Sequence, residues 1–316
     1  MESRPRLAIS TGDPAGIGPE VTLRALAEPS VRELAQLCVV GDPELLERTA
    51  AQLDLPLPEA IEAAGSAAGV QPGRLSAEAG AAAVAAVRRA VELIQAGDYD
   101  GLVTAPINKE ALRLAGFSWP GHTELLAELT GQRDVRMLLV SERLRVVHVT
   151  THRSLREAVE ACTRDRVLRT IDLAAEAGRG LGLATPRIAV AGLNPHAGEG
   201  GLFGDEESRE IIPAVEAARA AGLAVSGPWP ADTLFWRAAQ GEFDLVVATY
   251  HDQGHIPVKL GGFDEGVNVT LGLPFPRTSV DHGTAFDIAG RGVARWQSMA
   301  AAIRLGARLA GEPRRR

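Results

Sequence analysis

The sequence has few of the features that mark secreted or membrane-spanning proteins. Only two cysteines occur among 316 residues, Cys38 and Cys162, and neither belongs to a C-x-x-C motif. No disulfide framework is therefore expected, and a cytoplasmic, reducing location is predicted. The opening residues, MESRPRLAIS, contain no apolar stretch of signal-peptide length, and no run approaches the ~18 apolar residues of a membrane helix.

A basic excess is also missing. Lysine and arginine number 33 against 40 aspartates and glutamates, which gives a formal net charge of −7. This balance disfavours a general surface for nucleic acid or anionic membrane, so we predict neither as a partner. It leaves room for a small basic pocket that binds a phosphate or carboxylate.

Several common catalytic and nucleotide-binding motifs are absent from the sequence. No G-x-G-x-x-G follows a predicted strand, and no P-loop, G-x-S-x-G or H-E-x-x-H occurs. The segment GDPAGIGPE (12–20) is glycine-rich and follows a strand, but it is not the dinucleotide fingerprint. The residues that contact a cofactor are therefore not identified.

Short β-branched runs alternate with alanine-rich amphipathic stretches along the chain. This alternation predicts an α/β protein with a largely parallel sheet. RLAIS (6–10) and LCVVGD (37–42) are predicted strands, and residues 76–96 are a predicted helix closed by Gly97. Residues 54–75, rich in proline, glycine and alanine, are predicted to form a loop with ragged strands.

Four apolar runs end abruptly in polar side chains, namely DYDGLVTAPINK, LRVVHVTTH, PRIAVAGLNPH and DLVVATYH. The last three end in His152, His196 and His251. Ligands of open α/β sheets collect outside the carboxyl ends of the strands. A single histidine there is commonly hydrogen-bonded to backbone, but three in the same position favour a metal. Neutral imidazole suits Zn, Co, Ni, Mn or Fe, and three protein ligands are typical of a catalytic site.

Three further segments carry candidate anion-binding residues. GHTE (121–124) opens a predicted helix, so His122 and Thr123 lie where backbone N–H groups can hold an anion, with an ordinary helix cap as the alternative. Arg277 lies between a proline-bracketed turn and a predicted helix start, and suits either a bidentate anion contact or a surface ion pair. Lys259 follows His251 closely enough to share its pocket, or is simply solvated. These motifs indicate a metal-dependent α/β enzyme that acts on a small anion.

Eight segments together resemble the 4-hydroxythreonine-4-phosphate dehydrogenase family, including its paralogous branch of 4-phospho-D-threonate and 4-phospho-D-erythronate dehydrogenases. The match runs from about residue 6 to about residue 300. In chain order the segments are STGDPAGIGPE, APINKEAL, GHTELL, HVTTH, GLNPHAGEGGLFGDEE, GPWPADT, YHDQGHIPVK and GVNVTLGLPFPRTSVDHGTAFDIAGRG.

The resemblance implies the fold of the isocitrate and isopropylmalate dehydrogenases. That fold has two α/β/α domains around a largely parallel sheet, with the site in the interdomain cleft. We place the first domain at residues 1–130 plus 280–316, and the second, which carries the metal histidines, at residues 131–279. The resemblance also implies a homodimer with its site near the subunit interface.

The resemblance further implies a divalent metal, zinc or else Mg, Mn, Co or Ni, held by His152, His196 and His251, with one ligand donated across the dimer. NAD or NADP is the implied hydride acceptor. Lys259 and Asp232 are both candidates for the group that takes the hydroxyl proton. Implied substrate contacts come from His122, Thr123, Lys259, Asn268 and Arg277.

The implied reaction oxidises a 4-phosphorylated 3-hydroxy acid and releases its carboxylate as CO₂. One expected substrate is 4-(phosphooxy)-L-threonine, which gives 3-amino-2-oxopropyl phosphate in pyridoxal phosphate biosynthesis. HDQGHIPVK and DHGTAFDIAG resemble the paralogous branch more closely. Its substrates, 4-phospho-D-threonate and 4-phospho-D-erythronate, carry a hydroxyl at C2 and give dihydroxyacetone phosphate. A phosphate acyltransferase is a remoter alternative that needs neither NAD nor the metal.

Overall fold

The structure is a computed structural model that describes residues 4–261 and 266–311. The chain forms two compact units, one of Met1–Val135 with Leu273–Arg316 and one of Arg136–Gly272. Helices and strands alternate in both, which confirms the predicted α/β class. No helix within the described ranges has the length and apolarity that a bilayer crossing requires.

Eleven strands occur in the described part of the chain. Their bounds are β1 (Arg6–Ser10), β2 (Gln36–Gly41), β3 (Ala60–Ala63), β4 (Gly101–Thr104), β5 (Arg136–Val140), β6 (Arg145–His148), β7 (Ile188–Ala191), β8 (Val225–Trp229), β9 (Leu245–Ala248), β10 (Val267–Leu271) and β11 (Arg277–Val280).

Twelve α-helices connect these strands within the same described ranges. Their bounds are α1 (Gly18–Ala27), α2 (Pro29–Arg32), α3 (Pro43–Leu53), α4 (Ala77–Gln95), α5 (Lys109–Leu114), α6 (His122–Thr130), α7 (Leu155–Ala161), α8 (Arg164–Gly180), α9 (Ile212–Ala220), α10 (Ala231–Ala239), α11 (His251–Gly261) and α12 (Gln297–Gly311). A tightly turned segment, Pro195–Gly201, and a π-helical turn, Glu207–Ile211, precede α9.

The first unit has a parallel sheet with the strand order β3-β2-β1-β4-β11. The predicted strand at residues 6–10 is β1, and the predicted helix is α4. Ser76 caps α4 by accepting the N–H of Ala79 at 3.1 Å, and Gly97 follows with a φ of 86°. Val87 and Val91 of α4 pack into the same apolar core as Leu102 of β4.

The second unit has a mixed sheet with the strand order β10-β5-β6-β9-β7-β8. β5 is antiparallel to β10 and β6, whereas β6, β9, β7 and β8 run parallel. Val146 and Val246 lie in its core with Leu234 of α10. Ser154 and Glu157 form the capping box that starts α7, as the Ser-x-x-Glu pattern indicates. The parallel part of this sheet positions the candidate site.

Candidate active site

Three parallel strands of the second unit end at the same edge of their sheet, and a histidine follows each. β6 lies beside β9, and β9 lies beside β7. His152 follows β6, His251 follows β9 and His196 follows β7. The sheet therefore places all three histidines at its carboxyl edge, where open α/β sheets bind ligands. His152 and His196 lie on loops there, and His251 is the first residue of α11.

His152 and His251 lie close enough to share an ion. Their ring centroids are 5.7 Å apart, and the ring planes are tilted by 41°. Two imidazoles on one tetrahedral ion, at metal–nitrogen distances of about 2.0–2.1 Å, have ring centres about 5 Å apart. His152 also has a left-handed φ of 47°, a strained conformation that clusters at functional sites. The geometry of this pair fits a divalent metal.

The ring of His251 is oriented by its neighbour in the chain. Its Nδ1 lies 2.6 Å from Oδ1 of Asp252. Because a carboxylate only accepts, Nδ1 is the donor and Nε2 is left to bind an ion. Metal-binding histidines commonly donate their other N–H to a carboxylate, which fixes the tautomer and the ring orientation.

Two more histidines extend inward from His251, and we call His251, His255 and His148 the histidine column. His255 stacks on His251 with a centroid distance of 3.6 Å and a plane angle of 12°. His148 lies 4.6 Å from His255, tilted by 48°. Burial lowers the pKa of His255 to about 4 and that of His148 to about 3. Both inner rings are therefore neutral at physiological pH.

His196 lies on a loop with an unusual left-handed backbone. The φ angles of residues 196–200 range from 45° to 80°, although only two of these five residues are glycine. The ring of His196 lies 6.3 Å from that of Phe203. Within residues 4–261 and 266–311 of one chain, no three His, Cys, Asp or Glu side chains form a group that could hold a metal. His196 therefore does not join His152 and His251 within a single chain.

A buried carboxylate that the sequence did not single out holds the His196 loop. Glu207 is only 3 % exposed. Its Oε1 accepts the backbone N–H groups of Leu193 and Asn194, both at 2.7 Å, and its Oε2 accepts the side-chain amide of Asn194 at 2.9 Å. The run GDEE gives no signal of which acidic residue points inward.

Gln253, two residues after His251 on α11, links the end of β9 to the end of β7. Its Oε1 accepts the backbone N–H of Thr249 at 2.8 Å and the hydroxyl at 2.9 Å. Its Nε2 donates to the carbonyl of Gly192 at 2.7 Å. Thr249 follows β9 and Gly192 follows β7, so one buried amide holds the two strand ends together. This contact gives the glutamine of YHDQG a structural role.

In the first unit, Arg277 is a buried cation. It begins β11 and is 2 % exposed, so the alternative of a surface ion pair is wrong. Its Nη2 donates to Oγ1 of Thr104, the last residue of β4, at 2.5 Å. Burial lowers the pKa of Arg277 to about 9, and the carboxylate of Glu124 opposes this shift. An anionic ligand would offset the cost of burying the guanidinium.

His122 and Thr123 form the first turn of α6, in agreement with the helix start predicted at GHTE. Nε2 of His122 is buried, and no described residue forms a hydrogen bond with it. Burial lowers the pKa of His122 well below its usual value, and the charge of Arg277 lowers it further. A helix N-terminus favours anions. A neutral histidine, this helix start and Arg277 are thus a group of residues in the first unit whose chemistry suits an anion.

The remaining predicted substrate and catalytic residues lie in the second unit. Lys259 follows His251 by two helical turns on α11, and its charge lowers the pKa of His255. Asn268 lies on β10, and its Oδ1 is buried without a hydrogen-bond partner among the described residues. Asp232 is exposed on the first turn of α10. Of these three residues, Lys259 is the one whose charge acts on the histidine column.

Asp13 of the GDPAGIGPE segment is a buried acid that the sequence did not reveal. It is 0 % exposed, and its Oδ1 accepts the N–H of Ala15 at 2.8 Å. Burial raises the pKa of Asp13 from 3.8 to about 6. The folded protein therefore binds this proton more tightly than the unfolded chain does.

Raising the pH from about 4 to about 8 should destabilise the wild type by about 2 kcal/mol more than the Asp13→Asn variant. The reason is that the folded-state pKa is raised, so stability is present below the unfolded-state value and is lost as the pH rises through about 6. Chemical denaturation at both pH values measures this difference, and any constant effect of the asparagine cancels. Equal losses in the two proteins would show that the buried charge carries no penalty.

The fold and these two groups of residues define a class of protein. It is an α/β enzyme with strand-end histidines suited to a divalent ion and a buried cationic group suited to an anion. The chain belongs to the family described as pyridoxal phosphate biosynthetic protein PdxA, whose family model matches residues 33–306.

Individual relatives agree with this assignment over nearly the whole chain. The D-threonate 4-phosphate dehydrogenase of Cupriavidus necator is 51% identical, over 97% of this chain and 97% of its own. The 4-hydroxythreonine-4-phosphate dehydrogenase of Beijerinckia indica subsp. indica is 50% identical, over 96% of this chain and 94% of its own. The predicted family resemblance is confirmed, and the chain is an oxidoreductase of the dehydrogenase type. These relatives favour a dehydrogenase over a phosphate acyltransferase.

Solved structures confirm the predicted fold. The crystal structure of 4-hydroxythreonine-4-phosphate dehydrogenase from Klebsiella pneumoniae is 47% identical and has a TM-score of 0.87, covering 98% of this chain and 100% of that chain. An isocitrate dehydrogenase from Methylococcus capsulatus has a TM-score of 0.51 at 15% identity, covering 97% of this chain and 87% of that chain. At that identity the likeness concerns the fold alone.

Proposed function

We propose that this protein catalyses the metal-dependent, NAD(P)-linked oxidation and decarboxylation of a 4-phosphorylated 3-hydroxy acid. The observation that carries the proposal is the row of His152, His251 and His196 at one carboxyl edge of a sheet. The names of the relatives support the substrate class, because each contains a 4-phosphorylated hydroxy acid.

The proposed reaction has two steps. In the first, the C3 hydroxyl loses its proton and C3 transfers a hydride to the nicotinamide, which leaves a ketone at C3. In the second, the C1–C2 bond breaks, CO₂ leaves, and the electron pair forms an enolate that takes up a proton at C2. A bound divalent ion supplies Lewis acidity that favours both the loss of the hydroxyl proton and the acceptance of the electron pair. We assign no residue to NAD or NADP.

We assign His152, His196 and His251 to the metal, which is zinc or another divalent ion such as Mg, Mn, Co or Ni. The 5.7 Å separation of the His152 and His251 rings supports a shared ion. Within the described residues of one chain, the set of three is incomplete. In this proposal one ligand comes from a second copy of the chain, and the active protein is a homodimer.

Mixing the three single His→Ala variants tests this sharing between chains. If two ligands come from one chain and one from its partner, two of the three pairwise mixtures should regain activity. In those mixtures the hybrid dimer contains one site with all its ligands intact. The third mixture combines the two variants whose substituted ligands come from the same chain. Each site of that hybrid dimer lacks one ligand, so this mixture should stay inactive. Subunit exchange followed by an activity assay measures this, and recovery in none of the mixtures would contradict a shared site.

We assign an anionic group of the substrate, phosphate or carboxylate, to Arg277, His122 and Thr123. The burial of Arg277 supports this, since its guanidinium offers charge-assisted and bidentate hydrogen bonds to such a group. Nε2 of His122 gains a partner when a ligand binds. The first turn of α6 adds backbone N–H groups that favour an anion.

Lys259 and Asn268 are assigned to the rest of the substrate. The buried Oδ1 of Asn268 suits a hydroxyl or ammonium donor, because a buried acceptor without a partner is costly. Lys259 or Asp232 takes the hydroxyl proton. Lys259 is favoured by its position on the helix that carries His251 and by its electrostatic effect on His255.

Two kinds of substrate fit this chemistry and differ at C2. 4-(Phosphooxy)-L-threonine carries an amine there and gives 3-amino-2-oxopropyl phosphate, as in pyridoxal phosphate biosynthesis. 4-Phospho-D-threonate and 4-phospho-D-erythronate carry a hydroxyl and give dihydroxyacetone phosphate. Relatives named for the two kinds are 50% and 51% identical to this chain.

A comparison of kcat/KM for the three phosphorylated acids, each with NAD and with NADP, tests the proposal and identifies the substrate. Reduction of either cofactor with one of the acids supports the proposed function. The highest kcat/KM then distinguishes the amine from the hydroxyl at C2. No reduction of either cofactor with any of the three acids, by protein supplied with a divalent metal, would overturn the proposal.

A further inference from the structure

A second histidine of α11 packs against one of the proposed metal ligands. His251 and His255 are four residues apart on the helix, so they face the same side. Their rings stack at 3.6 Å with a plane angle of 12°. Nδ1 of His255 also donates to the backbone carbonyl of His251 at 3.0 Å. The ring of His255 therefore contacts both the ring and the backbone carbonyl of His251.

The inner part of the histidine column fixes His255 in turn. His148 lies behind it at 4.6 Å, and its Nδ1 donates to the carbonyl of Met137 at 3.3 Å. Gly254 leaves room for this ring, because a Cβ at residue 254 would lie 2.3 Å from Nε2 of His148. His148 and His255 are 1 % and 6 % exposed, whereas His251 is partly exposed. The column thus runs from the interior to the edge of the sheet.

We propose that His255 is a positioning residue that holds the imidazole of His251 in the orientation that binds the metal. Asp252 fixes the ring of His251 at Nδ1, and His255 fixes its face. A ligand held in its bound orientation loses less freedom when the ion binds. Outer partners of this kind change metal affinity although they do not touch the ion. This inference rests on the proposed metal site.

Two substitutions separate the two contacts of His255. His255→Phe keeps a stacked ring but loses the Nδ1–H donor, whereas His255→Asn keeps a donor near that position but loses the ring. Each should weaken Zn²⁺ binding by roughly ten- to a hundredfold, the usual effect of an outer partner. Competition titration of the metal-stripped full-length protein with Zn²⁺ measures the affinity. The visible spectrum of the Co²⁺-loaded protein should also change, since it reports the coordination geometry.

Matched variants complete the experiment. His282→Asn is the control, because His282 lies in the first unit and its Nδ1 also donates to a backbone carbonyl, that of Gly283 at 3.0 Å. This variant should leave Zn²⁺ affinity unchanged. Gly254→Ala is an independent route to the same loss of affinity, because its Cβ displaces His148 from behind His255. It decides the question if neither His255 variant folds, as judged by circular dichroism without metal.

The outcomes distinguish this inference from the proposed function. If the wild type binds no Zn²⁺, the proposed metal site fails and the positioning role fails with it. If His251→Ala loses Zn²⁺ while both His255 variants and Gly254→Ala bind it like the wild type, the metal site stands and the positioning role is overturned. Weaker Zn²⁺ binding and an altered Co²⁺ spectrum in the folded variants, with His282→Asn unchanged, support the inference.

Discussion

Replacing Arg277 by lysine is expected to lower kcat/KM for the phosphorylated substrate by roughly ten- to a hundredfold. Lysine keeps the positive charge but loses the planar fork that makes paired hydrogen bonds to an anion. A hydrogen bond to a charged group contributes about 1.5–3 kcal/mol, which sets the expected range. The apparent affinity for NAD should stay nearly unchanged, and the variant should still fold and bind metal. Steady-state kinetics with varied substrate and varied NAD measure both effects.

Arg136 provides a matched control for this substitution. It is 4 % exposed and its Nε donates to Oγ1 of Thr170 at 3.0 Å, so it is a second buried arginine beside a threonine hydroxyl. Arg136→Lys should lower the free energy of unfolding without changing kcat/KM. Normal turnover in Arg277→Lys, or an equal kinetic loss in both variants, would show that Arg277 has only a structural role.

Replacing His196 by alanine is expected to remove most of the bound metal and most of the activity while leaving the fold intact. Loss of an outer partner lowers metal affinity by up to about a hundredfold, and loss of a direct ligand should lower it further. The fold should survive because the side chain of His196 is exposed and fills no core. Metal analysis of the purified protein and circular dichroism measure the two effects.

Glu199→Ala is the matched control for the His196 substitution. Glu199 is exposed on the same loop and has a left-handed φ of 45°, close to the 54° of His196. Both substitutions therefore place alanine in a similar backbone conformation. Full metal content in His196→Ala, or an equal loss in Glu199→Ala, would contradict the assignment of His196 to the metal.

The sequence predicted those elements that local signals define. Ser76 and Gly97 bound the helix Ala77–Gln95 because a helix cap depends on a few neighbouring residues. The strand at residues 6–10 was likewise marked by a short apolar run. β3, within the predicted loop, has four residues and none of them is buried. An edge strand of this kind has little apolar pattern and depends on its pairing with β2.

The candidate site was predicted only in part, for a related reason. The ends of apolar runs show which loops follow a strand, so the positions of His152, His196 and His251 at one edge could be read from the sequence. Distances between loops depend on long-range packing, so the sequence did not show that His152 and His251 approach each other.

The burial of individual charged side chains could not be predicted from the sequence either. Asp13 and Glu207 are both buried. Their inward orientation depends on how the surrounding chain packs, which a local sequence pattern does not show. The same is true of Arg277, which the sequence placed next to a turn and the structure places in a buried strand. Charged side chains in such positions are the least predictable part of the site, because a charged residue is usually exposed.

The most direct measurement follows the reduced cofactor and CO₂ together in one reaction of the metal-loaded protein with its 4-phosphorylated 3-hydroxy acid. The expected result is equimolar formation of the two products, loss of both after treatment with a chelator, and recovery of both when a divalent ion is added back. Undiminished turnover by protein shown to be free of metal, or reduced cofactor formed without CO₂, would contradict a metal-dependent oxidative decarboxylation.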